Sequence, residues 1–258
     1  ENEYWLKERL PDYLSVPVYM YGLGIIPDEE KTEFEFEGLN GEIIKKEIDI
    51  LKYGEKANYI SINNNDRDIY LFDQQNEDFY WYEYLNNDNI LYFKYNVCAN
   101  MEEINFISFS DSMFETIENY DIEKFVIDLR HNSGGNSTVI NPFLTSISKL
   151  AENNPEMKIY VITGRQTFSS GVMAVIDIKE KVPVILIGES TGGSPNSYGE
   201  VKSFELTNSK IPVYYSVKYF QMTNDGANTV SPDITVEAGI NDFINNNDVI
   251  MEYIKMDK

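Results

Sequence analysis

The sequence predicts an α/β fold: repeated strand-helix units around a parallel sheet, preceded by a small α+β segment. Three observations carry this expectation. From about residue 107, short apolar runs alternate with stretches of helical period. Glycine-rich loops follow several of the apolar runs, at the places where such sheets bind ligands. Hydrophobic residues make up 42% of the 258-residue chain and aromatics 14%, enough to build a substantial core.

The elements follow in order. Residues Glu3 to Leu14 place Trp5, Leu6, Leu10, Tyr13 and Leu14 on one helical face, with Pro11 limiting its regularity. Alternation over Glu33 to Glu37 and Glu42 to Leu51, around a Gly38-Leu39-Asn40-Gly41 turn, predicts a hairpin. Asn63 to Asp68 reads as a polar loop. Tyr80 to Leu85 and Ile90 to Asn96 form a second hairpin, whose aromatic residues could line a peptide cleft, though most are expected to pack in the core. A helix over Ser110 to Tyr120 presents Met113, Phe114 and Ile117, and a strand follows at Lys124 to Leu129. The next helix, from Asn136 to about Leu150, aligns Phe143, Leu144, Ile147 and Leu150. Strand Lys158 to Thr163, helix Ser170 to Lys179 and strand Val182 to Gly188 continue the alternation. Two further strands, Glu200 to Leu206 and Val213 to Phe220, come last. The change of rhythm divides the chain into an N-terminal α+β segment, 1–78, read as the remnant of a larger upstream domain, and a core, 79–258.

Composition excludes several functions. Acidic residues number 43 against 21 basic, a net charge of -22 that repels nucleic-acid backbones and anionic lipid. No apolar run approaches the length of a bilayer-spanning helix. The single cysteine, Cys98, cannot form an internal disulfide or a zinc cluster, and the Asp/Asn-rich loops lack calcium-loop spacing. No metal or other cofactor is expected. The chain starts at Glu1 without methionine or signal peptide, so a processed or excised form is expected, and any membrane contact would come through an anchor outside this chain.

Three loops hold the candidate chemistry. The first, Asp128-Leu-Arg130-His131-Asn132-Ser133-Gly134-Gly135-Asn136, follows a strand. Paired glycines there permit positive φ and aim N–H groups at an anion. A tight turn stiffened by an Asp128–Arg130 pair explains the same residues. The second, Thr167-Phe168-Ser169-Ser170-Gly171, opens a buried helix, where a serine hydroxyl benefits from unpaired N–H groups or serves as an ordinary N-cap. It is no G-x-S-x-G elbow. The third, Gly188-Glu-Ser-Thr-Gly192-Gly193-Ser194, lacks the lysine of a nucleotide-binding loop and precedes a strand.

Together with Ser231-Pro232-Asp233-Ile234, these loops resemble the S41 serine peptidases, the carboxy-terminal processing (tail-specific) and tricorn-like enzymes, over about Tyr80 to Val236. The resemblance implies a ClpP/crotonase-like core, peptide-bond hydrolysis of peptide or protein substrates, and an extracellular or cell-envelope location. It implies Ser169 as nucleophile and an oxyanion hole from the N–H groups of Ser170 and of Gly134 or Gly135. Gly192, Gly193 and Ser194 are implied to lie along the substrate.

One departure is mechanistically serious. Ser194 stands where the processing peptidases of this family carry the lysine that activates the serine. A histidine from an upstream segment, as in tricorn-like enzymes, or recruitment of His131, Lys202 or Lys218 are the alternatives. A non-catalytic, peptide-binding homologue is the competing reading. His131, the sole histidine, reads as an ordinary surface residue, and Lys218 as solvent-facing or ion-paired. Glu189 and Glu200 could orient a base or simply belong to an acidic surface.

Overall fold

The computed structural model describes residues 2–28, 31–49, 70–74 and 77–257. The predicted loop at Asn63 to Asp68 and the end of the predicted strand at residues 50–51 lie outside them. Two compact units are present, Glu1–Trp5 with Asp68–Lys258, and Leu6–Arg67. Helix α1 (Glu3–Leu14) crosses the boundary between them and contains Pro11. In the smaller unit, α2 (Pro17–Gly22) starts on a proline whose fixed φ suits the first helical turn. Strands β1 (Lys31–Glu37) and β2 (Ile43–Asp49) form the expected antiparallel hairpin. Period-2 alternation puts Phe34 and Phe36 on one face, stacked 6.0 Å apart. Lys31 pairs with Glu47 at 2.7 Å, and Lys45 bridges Glu33 and Glu35.

The larger unit is built on a six-stranded sheet. Strands β3 (Tyr80–Leu85) and β4 (Ile90–Tyr95) are antiparallel, and β5 (Lys124–Asp128), β6 (Lys158–Thr163) and β7 (Ile185–Gly188) extend β4 in parallel. Helices α3 (Phe106–Asn119), α4 (Asn141–Asn153) and α5 (Ser170–Lys181) make the crossovers, as the alternating pattern requires. Alternate residues of each strand feed opposite layers. Phe93, Phe125, Ile127, Val161 and Leu186 pack with Phe106, Met113, Phe143 and Val175 on one face. Tyr92, Val126, Tyr160, Ile162 and Ile187 occupy the other face, against Ile250, Met251 and Ile254. With both faces covered, nearly every side chain of β4 to β6 is buried, which is why these strands read as continuous apolar runs.

Several boundaries differ from expectation. Helix α3 starts at Phe106, one turn early, because the Asn105 side chain accepts from Ser108 N–H at 3.0 Å and caps it. Strand β7 starts at Ile185, since Val182 still caps α5 through its N–H to Ile178 O. Strands β8 (Asn196–Glu205) and β9 (Pro212–Gln221) form a separate hairpin, and β8 begins four residues before the predicted start. The two-residue β10 (Ile234–Thr235) was not anticipated. It joins the open edge of β7, with Asp233 donating its N–H to Leu186 O and accepting from Leu186 N–H, both at 2.9 Å. Helices α6 (Ile240–Ile244) and α7 (Val249–Met256) were also unforeseen, and α7 supplies the second-face residues just named. Among the described residues no helix is long and apolar enough to cross a membrane.

Candidate active site

The carboxyl ends of β5 and β6 bring the first two motif loops together. At the end of β5, Asp128 is fully buried. It accepts from Tyr92 Oη at 2.5 Å and contacts Lys94 Nζ at 3.2 Å and Arg130 Nε at 2.9 Å. Arg130 continues to Asp248 at 3.2 Å and lies 4.4 Å over the Phe72 ring. Burial opposes ionisation of Asp128, but Arg130 and Lys94 outweigh it and hold the carboxyl well below the usual carboxylate range. Burial lowers Lys94 to about 8, with Asp128 pulling the other way. The stiffening Asp128–Arg130 pair is therefore present, inside a larger cluster.

His131 is not the surface residue its position suggested. Its Nδ1 lies 3.4 Å from Lys94 Nζ and its ring packs edge-on to Phe72, 5.5 Å away. Burial, reinforced by the neighbouring Lys94 charge, lowers it to about 3, so it is neutral near pH 7.

Beyond the cluster, Asn132 is fully buried and ties several segments together. Its Nδ2 donates to Tyr95 O at 2.8 Å, and its Oδ1 accepts from Gly134 N–H at 2.9 Å and from Cys98 Sγ at 3.4 Å. Its carbonyl accepts from Phe168 N–H at 2.9 Å. Gly134 and Gly135 adopt φ of 107° and 134°, which L side chains rarely adopt. A Cβ on Gly134 would lie 2.8 Å from Ser169 Cβ and 3.0 Å from Ser170 N, so only glycine lets the two loops meet this closely.

Ser169 follows β6 and caps α5, with φ 49° and ψ -123°. This backbone is strained for any residue but glycine, and such strain persists only where the surroundings impose it. Phe168 N–H to Asn132 O, Gly193 N–H to Thr167 O at 3.0 Å and Thr167 Oγ1 to Leu129 O at 2.8 Å impose it here. The Ser169 side chain is exposed and makes no capping hydrogen bond. Ser170 points the other way, its buried hydroxyl donating to Gly135 O at 2.8 Å. Among the described residues, neither the Ser170 nor the Gly135 N–H donates a hydrogen bond, whereas that of Gly134 is taken by Asn132. Gly134 is thus removed from the expected anion-binding donors, because its N–H is already used.

The third loop packs against the Phe168–Ser169 turn. Gly192 and Gly193 are buried. A Cβ on Gly193 would meet Phe168 Cα at 2.9 Å and Ser169 N at 3.1 Å, and one on Gly192 would strike Arg165 O. Trp5 packs against Phe168 with the rings tilted by 33° and centroids 4.3 Å apart, and Asn2 Nδ2 donates to Thr191 O at 2.8 Å. Ser194, in the position where the resemblance implies a lysine, donates its hydroxyl to Asn196 O at 3.0 Å. Lys202 and Lys218 lie exposed on β8 and β9, Lys218 3.7 Å from Glu200. Glu189 pairs with Arg165. None of the described ionisable groups hydrogen-bonds the Ser169 hydroxyl, and no cluster of three or more His, Cys, Asp or Glu among the described residues is arranged to hold a metal.

Sequence reasoning placed Asn132 in the first motif without giving it a role, and did not single out Lys94, Tyr92 or Trp5 as supports of the site. Their partners lie in other loops and strands, so no local spacing marks them. A lysine inside an aromatic strand, Lys94, was the one visible signal.

No protein-family model matches the chain, and no curated protein matches it in sequence. Solved structures do. Mature CPAF complexed with lactacystin aligns over 88% of this chain and 67% of its own, at 10% identity and a TM-score of 0.52. A protein of Bacteroides fragilis NCTC 9343, assigned to the S41 proteases, aligns over 87% of this chain and 64% of its own, at 14% identity and a TM-score of 0.47. The photosystem II D1 C-terminal processing protease aligns over 57% and 42%, at 13% identity and a TM-score of 0.38. The chain spans about two thirds or less of the length of these proteins. Its fold is similar to that of mature CPAF.

Proposed function

We propose that the chain is a serine peptidase that cleaves peptide bonds through an acyl-enzyme on Ser169, with its general base incomplete in this chain. The strained, exposed serine at the head of a buried helix carries the reading. In this mechanism Ser169 Oγ attacks the scissile carbonyl and loses its proton to a base. The Ser170 and Gly135 N–H groups stabilise the oxyanion, and the helix dipole of α5 adds to them. Collapse releases the protonated amine, and water then hydrolyses the ester. An extracellular or envelope location and a peptide or protein substrate belong to the same proposal.

A second reading, a non-catalytic peptide-binding homologue, draws on Ser194, whose hydroxyl is engaged by Asn196 where a lysine would activate Ser169. A fluorophosphonate probe followed by intact-mass analysis separates the two. Slow modification confined to Ser169, lost in Ser169→Ala together with any peptide cleavage, is the expected result. Cleavage that persists in Ser169→Ala overturns the nucleophile. Peptide binding without adduct or cleavage, unchanged by that substitution, selects the binding homologue. Rapid labelling contradicts an incomplete base.

A further inference from the structure

The hairpin of β8 and β9 presents an aromatic face that nothing so far explains. Its register sets Tyr198 opposite Tyr219, Lys202 opposite Tyr215 and Phe204 opposite Val213. With Val217 these side chains share one face, since residues two apart on a strand point the same way. Tyr198 is 73% exposed, and Phe204, Tyr215 and Tyr219 are each about half exposed, at 52%, 47% and 51%. Among the described residues the two strands pair only with each other. A two-stranded ribbon is marginal in water unless its apolar face is covered.

We propose that this face is where two copies of the chain meet, hairpin against hairpin about a two-fold axis. Charge argues first for that occupant. Residues 196–221 carry Lys202, Lys210 and Lys218 against Glu200 and Glu205, one net positive charge, which leaves -23 on the rest of the chain. Molecules so acidic repel at close range, and the repulsion is weakest where acidic residues are fewest. The hairpin combines that local relief with its exposed aromatics.

Area argues next. At about 200 Å² per aromatic side chain, the four rings offer about 450 Å² per copy. Paired with themselves and joined by the two valines, they reach about 1,000 Å², the lower bound of a specific interface. A two-fold contact uses the same patch twice, and two facing ribbons about 10 Å apart interdigitate their side chains as in a sandwich core. The proposal is independent of any role for Ser169.

Sedimentation equilibrium of the chain up to about 100 µM, in about 0.05 M and about 0.5 M NaCl, tests it. A dimer that tightens as salt rises is expected, because screening removes the net repulsion while the apolar contact remains. Tyr215→Lys with Tyr219→Lys should weaken it about tenfold or more with an unchanged circular-dichroism spectrum. Both sites are solvent-exposed, and Tyr215→Ser with Tyr219→Ser gives the same direction without added charge. A monomer at every concentration and salt overturns the proposal. So does a dimer indifferent to both variants, which locates the contact elsewhere. A monomer whose Tyr198 and Tyr219 resist surface labelling also overturns it, since another segment of the same chain then covers the face.

Discussion

Asp128 ends β5 among ion pairs and a tyrosine hydroxyl, whereas Ser169, at the end of neighbouring β6, has an exposed hydroxyl without a capping bond and a strained backbone. Both turns are held by hydrogen bonds, and Asn132 and Gly134 join them. The first uses its polar groups on one another and fixes geometry. The second keeps one polar group unspent at a position that geometry dictates. Rigidity at the scaffold is what allows strain at the serine.

The most damaging way to break that contrast is Asp128→Ala. It leaves Lys94 and Arg130 buried beside a lost partner, and a loss of about 3–5 kcal/mol is expected from urea unfolding. A loss below about 1 kcal/mol would mean that the cluster does not fix the turn.

Acid should act on the scaffold before it acts on the serine. His131 titrates near 3 in the folded chain against an ordinary value near 6.5, so the folded state binds fewer protons across that window. Stability therefore falls as pH drops from about 6.5 towards 3. Asp128, depressed further, adds stability that is complete above the usual carboxylate range and is lost only as pH falls through its lower folded value. At about pH 5 the histidine accounts for a loss of about 2 kcal/mol. Unfolding midpoints against pH should show a shallower fall in His131→Gln over that window, and an unchanged profile would contradict the neutral, half-buried imidazole.

The smallest effect concerns the serine itself. Ser169→Gly relieves the positive φ and should stabilise the fold by about 1 kcal/mol while abolishing probe labelling. Ser169→Ala keeps the strain and should leave the unfolding midpoint nearly unchanged. Equal midpoints for the two variants would show that the turn at Ser169 stores no strain.

The sheet was legible because burial on both faces removes polar alternation. Strands β5 and β6 fall within a residue of their predicted bounds, and the hairpin of β3 and β4 is as expected. Less local features were not. Strand β10 is two residues long, too short to show a period, and exists because Asp233 hooks the β7 edge. Helix α7 carries a clear apolar stripe, Ile250, Met251 and Ile254, that the reading of the C-terminal stretch passed over. The meeting of the Gly134 and Ser169 loops was inferred from motif order. The loss of Gly134 N–H to Asn132 depends on one side-chain rotamer, which no spacing encodes.

Asn196, whose carbonyl accepts from the Ser194 hydroxyl, also ties together the two ends of the β8–β9 ribbon. Its Oδ1 accepts from Met222 and Thr223 N–H, and its Nδ2 donates to Thr223 O, so the ribbon leaves and rejoins the body at one side chain. The stretch between them is a self-contained excursion whose two feet are already fastened together. Such an appendage can be lengthened, shortened or exchanged with little disturbance to the sheet.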